Sequence, residues 1–453
     1  MKNSIHKITL CLDFPRCTTI ILLIGLCIRI ALLIILIDIP LFSDAKSYHE
    51  VAISIGSSRV FSTFWPPALP MYLSLCHRLF GASELVSQAS MIAWYILLFL
   101  IQYTLFKKLF NYRITNISLL IIAIFPSFIY HSITPLSQLP AAACLLAIIL
   151  LSIELLDKQR FTSSLVLGCA FAFFALLRPS SILLMLMLSA YLFIKTRKTT
   201  SFIPMIIALV LISSWLYKAH SMTGRFVPIN DANAANLFYG NNPYTPTYKT
   251  WWFGSHGDEE DGVPPGYMEL RNEIENKAIK ERQDTFRKLA LDHIARRPDL
   301  FLMRTASRFR CFFAFPTFTG SILREHNILS TKGSLMIIFL DGLIHSIISI
   351  TFVLFLFVRN NSMPYRTYGP IILLSFLGYA VPYWFSFSHP TYNFPVIPVY
   401  MIFSSAYLFD HLHARDRVML LPTSNRSRVV LMMTVSLYIF IQIEWLLHNL
   451  SRI

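Results

Sequence analysis

The chain has 453 residues, 55% of them hydrophobic and 14% charged, with a formal charge of +15 and a mean hydropathy of +0.57. A soluble domain of this length needs far more polar surface, so the composition excludes a soluble enzyme and predicts an all-α polytopic membrane protein. Lys and Arg cluster in the gaps between apolar runs, where membrane orientation accounts for them, so no nucleic-acid partner is expected. Seven cysteines (Cys11, Cys17, Cys27, Cys76, Cys144, Cys169 and Cys311) form no C-x-x-C pair and fall mostly in or beside apolar runs. They read as small hydrophobes, with no disulfide framework, no cofactor and no metal site expected.

At about 20 apolar residues per crossing, about eleven transmembrane helices are predicted. They are 18–39, 86–106, 115–131, 137–156, 162–177, 180–194, 201–217, 334–358, 368–386, 394–410 and 428–447. The first is too long for a signal h-region and lacks a small-x-small cleavage site, so it reads as an uncleaved span. With the N-terminus cytoplasmic, the basic gaps all fall inside: Lys107, Lys108 and Arg113; Lys158 and Arg160; Lys195, Arg197 and Lys198; Arg359 and Arg366; Arg415, Arg417, Arg426 and Arg428. The expected site is the inner or plasma membrane. Three parts follow: an N-terminal bundle, 1–217, carrying a first outer loop at 40–85; a large extracytoplasmic loop, 218–333; and C-terminal spans, 334–453. Short turns near Thr134, Arg178 and His389 share the outer face.

The first outer loop organises the rest. After PLFSDAKSYHEVAISIG, Tyr48, Val51, Ala52 and Ile55 recur at helical spacing behind Asp44, which predicts a surface helix with a carboxylate at its N-terminal end. Asp44 fits either an N-cap or an active-site acid. A second apolar segment runs from Trp65-Pro66-Pro67 to Gly81. It is short for a span, and crossing there would export Lys107–Arg113, so it too is expected on the surface.

The large loop opens irregularly, then from Tyr267 becomes helical with a Glu273–Lys277 pair one turn apart. Pro298 interrupts it before a basic amphipathic helix bearing Arg304, Arg308 and Arg310. The Tyr239–Pro243 stretch is a turn signal. Asp258, Glu259, Glu260 and Asp261 read as a solvated loop tip; neighbouring His256 raises a metal question, but the ligands lack regular spacing, so a divalent metal is not expected. Trp65, Trp251 and Trp252 read as interface-belt aromatics, with sugar stacking as the other role. Arg178, in LLRPSS, fits a snorkelling residue or a phosphate ligand. His389 and Tyr392 sit in a Pro-bounded turn whose prolines alone do not account for the polar side chains gathered there.

DAKSYHEVA, WPPALPMYLSLCHRLFG, LLRPSS, NLFYGNNP, ALDHIARRPDLFLMRTASRFRCFFAFP and HPTYNFPVIPVYMIF follow one another in an order that resembles the integral-membrane glycosyltransferases of the GT-C type. The chain is most similar to the bacterial branch akin to protein O-mannosyltransferases and the lipid A aminoarabinose transferase. That resemblance implies a polyprenyl-phosphate-linked sugar donor, a lipid, glycan or protein acceptor, contact with membrane lipid, and Asp44 as the general base. Two positions depart from the family: Ile133-Thr134-Pro135-Leu136 lacks an acid often found there, and Thr391-Tyr392-Asn393 lacks two arginines. Either Arg178, His389 or the Arg304–Arg310 helix is then expected to supply the missing charge or the donor binds differently, with Tyr48, Trp65 and Tyr392 around the sugar. An inverting displacement needs one base and a stabilised leaving phosphate, which this set supplies. A lipid-linked saccharide transporter, or flippase, would favour paired polar residues deep in several spans, whereas these spans read as almost purely aliphatic and aromatic. An oligosaccharide ligase or polymerase, using outer-loop arginines, is the other alternative.

Overall fold

The structure is a computed structural model and describes residues 12–57, 61–248, 264–357, 363–413 and 424–450. Cys11, Trp251, Trp252, His256, the 258–261 acidic cluster, Arg359, Arg415 and Arg417 lie outside the described residues. The apolar runs fold into helices in the expected order: α1 (Pro15–Ile35), α2 (Ser43–Ser57), α3 (Ala68–Phe80), α4 (Glu84–Leu109), α5 (Tyr112–Ile124), α6 (Pro126–His131), α7 (Gln138–Lys158), α8 (Phe161–Leu177), α9 (Ile182–Thr196) and α10 (Ile203–Thr223). The loop region carries α11 (Ala232–Gly240), α12 (Pro265–Glu275), α13 (Ile279–Arg296), α14 (Pro298–Phe313) and α15 (Phe318–Glu325). It is followed by α16 (Thr331–Phe357), α17 (Met363–Phe385), α18 (Ile397–His413) and α19 (Asn425–Leu450).

Among the described residues, eight helices are long and apolar enough to cross a membrane: α1, α4, α7, α16, α17, α19, and the segments Pro179–Thr196 and Thr199–Thr223 that end in α9 and α10. The other three expected spans fall on shorter helices. α8 is apolar but has 17 residues, and 394–410 begins with a 3-10 turn before α18. The predicted span 115–131 is broken. Pro126 has no N–H to donate and pushes Phe125 into extended backbone (φ −66°, ψ 119°), so α5 stops and α6 starts afresh.

That break is repaired by two ionisable side chains from distant spans. Arg29 of α1, fully buried, donates to the carbonyl oxygens of Ile122 (3.0 Å) and Ala123 (2.9 Å), which lose their ladder partners at the proline. Its guanidinium also lies 3.4 Å from the centroid of the Tyr95 ring. Asp341 of α16 accepts from the Ser127 N–H (3.0 Å) and hydroxyl (2.8 Å) at the first turn of α6. A cation thus sits at the end of one short helix and a carboxylate at the start of the next, each matched to the local helix dipole. One turn along α16, buried His345 bonds Asn393 (3.1 Å) and the Tyr438 hydroxyl (3.1 Å). The spans are therefore not purely aliphatic and aromatic. Their polar residues occur singly in sequence and find partners up to 214 positions away, so a span-by-span reading does not see the pairs.

The two ends of the bundle differ as the loop alternation requires. At one end Lys108 pairs with Asp157 (2.6 Å), which also accepts from the Tyr368 hydroxyl (2.9 Å), and Lys198 reaches Gln159 (2.5 Å). At the other end the first loop is bonded to the start of the large loop. Asp231 N–H donates to the Thr63 carbonyl (2.7 Å), the Thr63 hydroxyl to the Asp231 carboxylate (2.6 Å), and Asn230 to the Phe64 carbonyl (3.1 Å), while Arg225 holds Asp231 at 2.5 Å. Both loops therefore cover the same end.

α2 and α3 lie at that end as surface helices. α2 buries Ala45, Tyr48, His49, Ala52 and Ile55. α3 buries Leu69, Leu73 and His77 and exposes Met71, Leu75, Leu79 and Phe80 on its other side. Behind them α11, α12 and α13 enclose a small core of Phe238, Tyr267, Ile274 and Phe286. The Glu273–Lys277 pair forms at 3.8 Å, and Pro298 takes the first-turn position of α14, where a missing N–H costs nothing.

Candidate active site at the loop end of the bundle

Arg178 occupies the joint between α8 and the 3-10 turn Pro179–Ser181. Pro179 forces it into extended backbone (φ −142°, ψ 94°), which ends α8 and turns the side chain toward α17 and the 390–393 turn. Its guanidinium carbon stands 5.5 Å from the Tyr392 ring centroid. Tyr392 stacks on Tyr383 at 4.7 Å and 19°. Tyr383 accepts a 2.9 Å bond from the Ser180 hydroxyl, and Tyr379 lies 5.3 Å along the same helix face. Burial acts to lower the Arg178 pKa, but the phenols of Tyr383, Tyr379, Tyr48 and Tyr392 outweigh it and the net shift is upward. Arg178 is therefore cationic at any working pH. Among the described residues no carboxylate pairs with it and no acceptor bonds its guanidinium; its Nε is buried without a partner.

The first loop meets this cluster from the other side. Asp44 stands in the first turn of α2, following Ser43 at a positive φ of 51°. It is exposed, while Tyr48, one turn on, is buried. Tyr48 packs on Trp65 at 4.7 Å, with the Ser137 side chain nearby. Burial raises the Tyr48 pKa to about 12 against the lowering field of Arg178. Tyr392 is raised too, by burial first, with Arg178 opposing and the Asp44 carboxylate adding to the rise. Both phenols stay protonated and able to donate. Tyr48, Trp65, Arg178 and Tyr392, far apart in sequence, thus lie at the same end of the bundle, with Asp44 within electrostatic reach of Tyr48 and Tyr392.

His389 stands apart from them. Its Nδ1 meets the Thr391 hydroxyl at 2.9 Å and its ring faces Trp445 at 6.5 Å, on the α19 side of the turn. The arginines of α14 are committed elsewhere. Arg304 bonds the Thr245 carbonyl and His293, Arg308 bonds the Gly240 and Phe385 carbonyls and Asn241, and Arg310 pairs with Glu444. They hold the Tyr239–Pro243 turn against the bundle. In that turn Asn242 accepts from the N–H groups of Tyr244 (2.9 Å) and Thr245 (3.1 Å), and a Cβ on Gly240 would stand 2.0 Å from the Ser386 carbonyl. Only glycine fits there.

Residues 65–217 match the family model for dolichyl-phosphate-mannose-protein mannosyltransferase. The match supports a membrane glycosyltransferase of the GT-C type and, in general terms, a lipid-linked sugar donor. It spans Trp65 to the middle of α10, so it takes in Trp65, Ser137 and Arg178, whereas Asp44, Tyr48 and Tyr392 join them only through the fold. No curated protein matches the chain.

Tyr379, Tyr383 and Ser137 lie beside these residues and are hard to single out in the sequence, because each sits in or at the edge of an apolar run. A tyrosine pair one turn apart near the end of a span was the available clue for the first two.

Proposed function

We propose that the chain transfers a sugar from a polyprenyl-phosphate donor to an acceptor hydroxyl or amine at the outer membrane face, with inversion at the anomeric carbon. The observation that carries this reading is a cation with no paired carboxylate among the described residues, within the field of four phenols, at the same end as an exposed carboxylate. Arg178 would take the donor phosphate through paired N–H groups, with Tyr48 and Tyr392 donating to its oxygens. Trp65, against Tyr48, offers a face for the sugar. Asp44 would accept the acceptor's proton as the nucleophile attacks, and the electron pair of the breaking C–O bond passes to the phosphate. Inversion is consistent with one carboxylate, since a retaining displacement needs a second as nucleophile. With the N-terminus cytoplasmic, the loop end faces outward and the donor's prenyl chain lies along the membrane domain.

The test is Asp44→Asn in purified protein that still elutes as a single species, assayed with the lipid-linked donor identified by mass spectrometry of co-purifying lipids. Transfer falls at least about a hundredfold if the carboxylate is the base. Transfer at the wild-type rate would refute that role.

A further inference from the structure

Four histidines are buried among the described residues: His49, His77, His131 and His345. His49 and His77 both bond the Ser87 hydroxyl, at 2.9 and 2.7 Å, and His345 bonds Asn393 and Tyr438. His131 differs. It is 2% exposed, neither ring nitrogen has a hydrogen-bond partner among the described residues, and its Nδ1 is sealed from solvent. A histidine placed for packing alone leaves its Nδ1 desolvated with no partner, an arrangement folded proteins avoid.

Its surroundings point to what it lacks. His131 lies within the field of Arg178, and its ring is clamped edge-on by Phe394 at 4.5 Å and Tyr130 at 5.4 Å. It closes α6, the short helix created by Pro126 and fixed at its start by Asp341. An imidazole that needs an acceptor thus stands near a guanidinium that needs an anion. A phosphoryl group supplies oxygens to both.

We infer that His131 is a further protein ligand of the donor phosphate, donating an imidazole N–H to an oxygen that gains negative charge as the sugar leaves. This rests on the proposed transfer reaction and extends it. In that step the nucleophile's proton goes to Asp44, the anomeric C–O bond breaks, and its electron pair stays on the phosphate. His131 keeps its proton and strengthens its hydrogen bond as the charge grows, which favours the transition state over the bound donor.

The experiment measures binding of polyprenyl monophosphate, and of the uncharged polyprenol as control, to the full chain in nanodiscs. His131→Leu, His131→Gln and Arg178→Gln are compared with the wild type. The expected result is about tenfold weaker phosphate binding for His131→Leu, with His131→Gln, which keeps an N–H donor, closer to the wild type and polyprenol binding unchanged. In the wild type the ¹⁵N resonance of the His131 imidazole, assigned by its loss in folded His131→Gln, should move on adding polyprenyl monophosphate and not on adding polyprenol. An unmoved resonance, or unchanged binding by folded His131→Leu while Arg178→Gln loses it, overturns the role of His131 and leaves Arg178 as the phosphate ligand. Equal binding of phosphate and polyprenol by the wild type overturns the donor assignment itself, and this inference with it.

Discussion

Replacing Arg178 by Gln removes the cation among the phenols, and its consequence can be sized from the structure. A hydrogen bond to a charged group contributes about 1.5–3 kcal/mol, and a guanidinium presents two in parallel to a phosphate. A unit charge pair at about 4 Å interacts by about 4 kcal/mol at an effective dielectric of about 20. Arg178 keeps part of its surface open, so solvent screening reduces either figure to about 2 kcal/mol, about a thirtyfold effect. The effect should divide unequally. A phosphodiester carries one negative charge and the departing phosphate monoester up to two, so the lost cation stabilises the transition state more than the ground state. The turnover rate should fall more than the donor KM rises. Arg178→Lys, a point charge without the paired N–H geometry, should recover only part of the rate. The assay is steady-state transfer in proteoliposomes with donor concentration varied. If folded Arg178→Gln protein kept both kcat and KM within twofold of the wild type, the phosphate role of Arg178 would be wrong.

Two further outcomes follow from the frame of the site. Arg29→Met should orphan the carbonyl oxygens of Ile122 and Ala123, at about 1–3 kcal/mol each, and thermal denaturation in detergent should show the loss; a melting curve unchanged from the wild type would mean the helix break needs no guanidinium. His49 and His77 both have pKa values lowered by burial, His77 also by the neighbouring imidazole. Opening α2 and α3 to water restores the ordinary value near 6.5, so the open form takes up protons first as pH falls. The closed arrangement is fully stable above about pH 6.5 and weakens below it, by up to about 1.4 kcal/mol per pH unit for each histidine. Hydrogen exchange over residues 43–80 should accelerate between pH 7 and 5 beyond the intrinsic rate change, and a His49→Gln, His77→Gln double variant should lose that excess.

What the sequence made legible follows the range of the physics involved. Amphipathic spacing put α2 on the surface, and span length with the Lys107–Arg113 cluster put α3 there, because these are local properties. Asp44, Tyr48, Trp65, Arg178 and Tyr392 were readable singly, since polar or aromatic residues at span ends are few in a chain this apolar. That they meet was not readable without the resemblance. His131 was hidden because it lies inside the predicted span 115–131, and only the Pro126 break turns it toward the loop end. Arg29, Asp341 and His345 were hidden for a related reason: each looks like a lone fault in an apolar run, and its partner is a backbone group or side chain that only folding brings close.

The arginines show why counting charges near a site misleads. Four of them, Arg178, Arg304, Arg308 and Arg310, lie at the loop end and could equally have compensated for the missing cations of Thr391-Tyr392-Asn393. Their partners separate them. Arg304 and Arg308 are spent on carbonyl oxygens of the Tyr239–Pro243 turn and its surroundings, and Arg310 on Glu444, where a ligand phosphate would have to displace bonds that hold the large loop in place. Among the described residues Arg178 has no such bond to give up. The residues at the departing positions are similarly committed: Asn393 to His345 and Thr391 to His389. An arginine at 393 would have to bury a charge beside His345, so the 390–393 turn is built to hold Tyr392 rather than to bind an anion. Under the proposed reaction the cation for the donor phosphate comes instead from the α8 junction, 5.5 Å from the Tyr392 ring centroid.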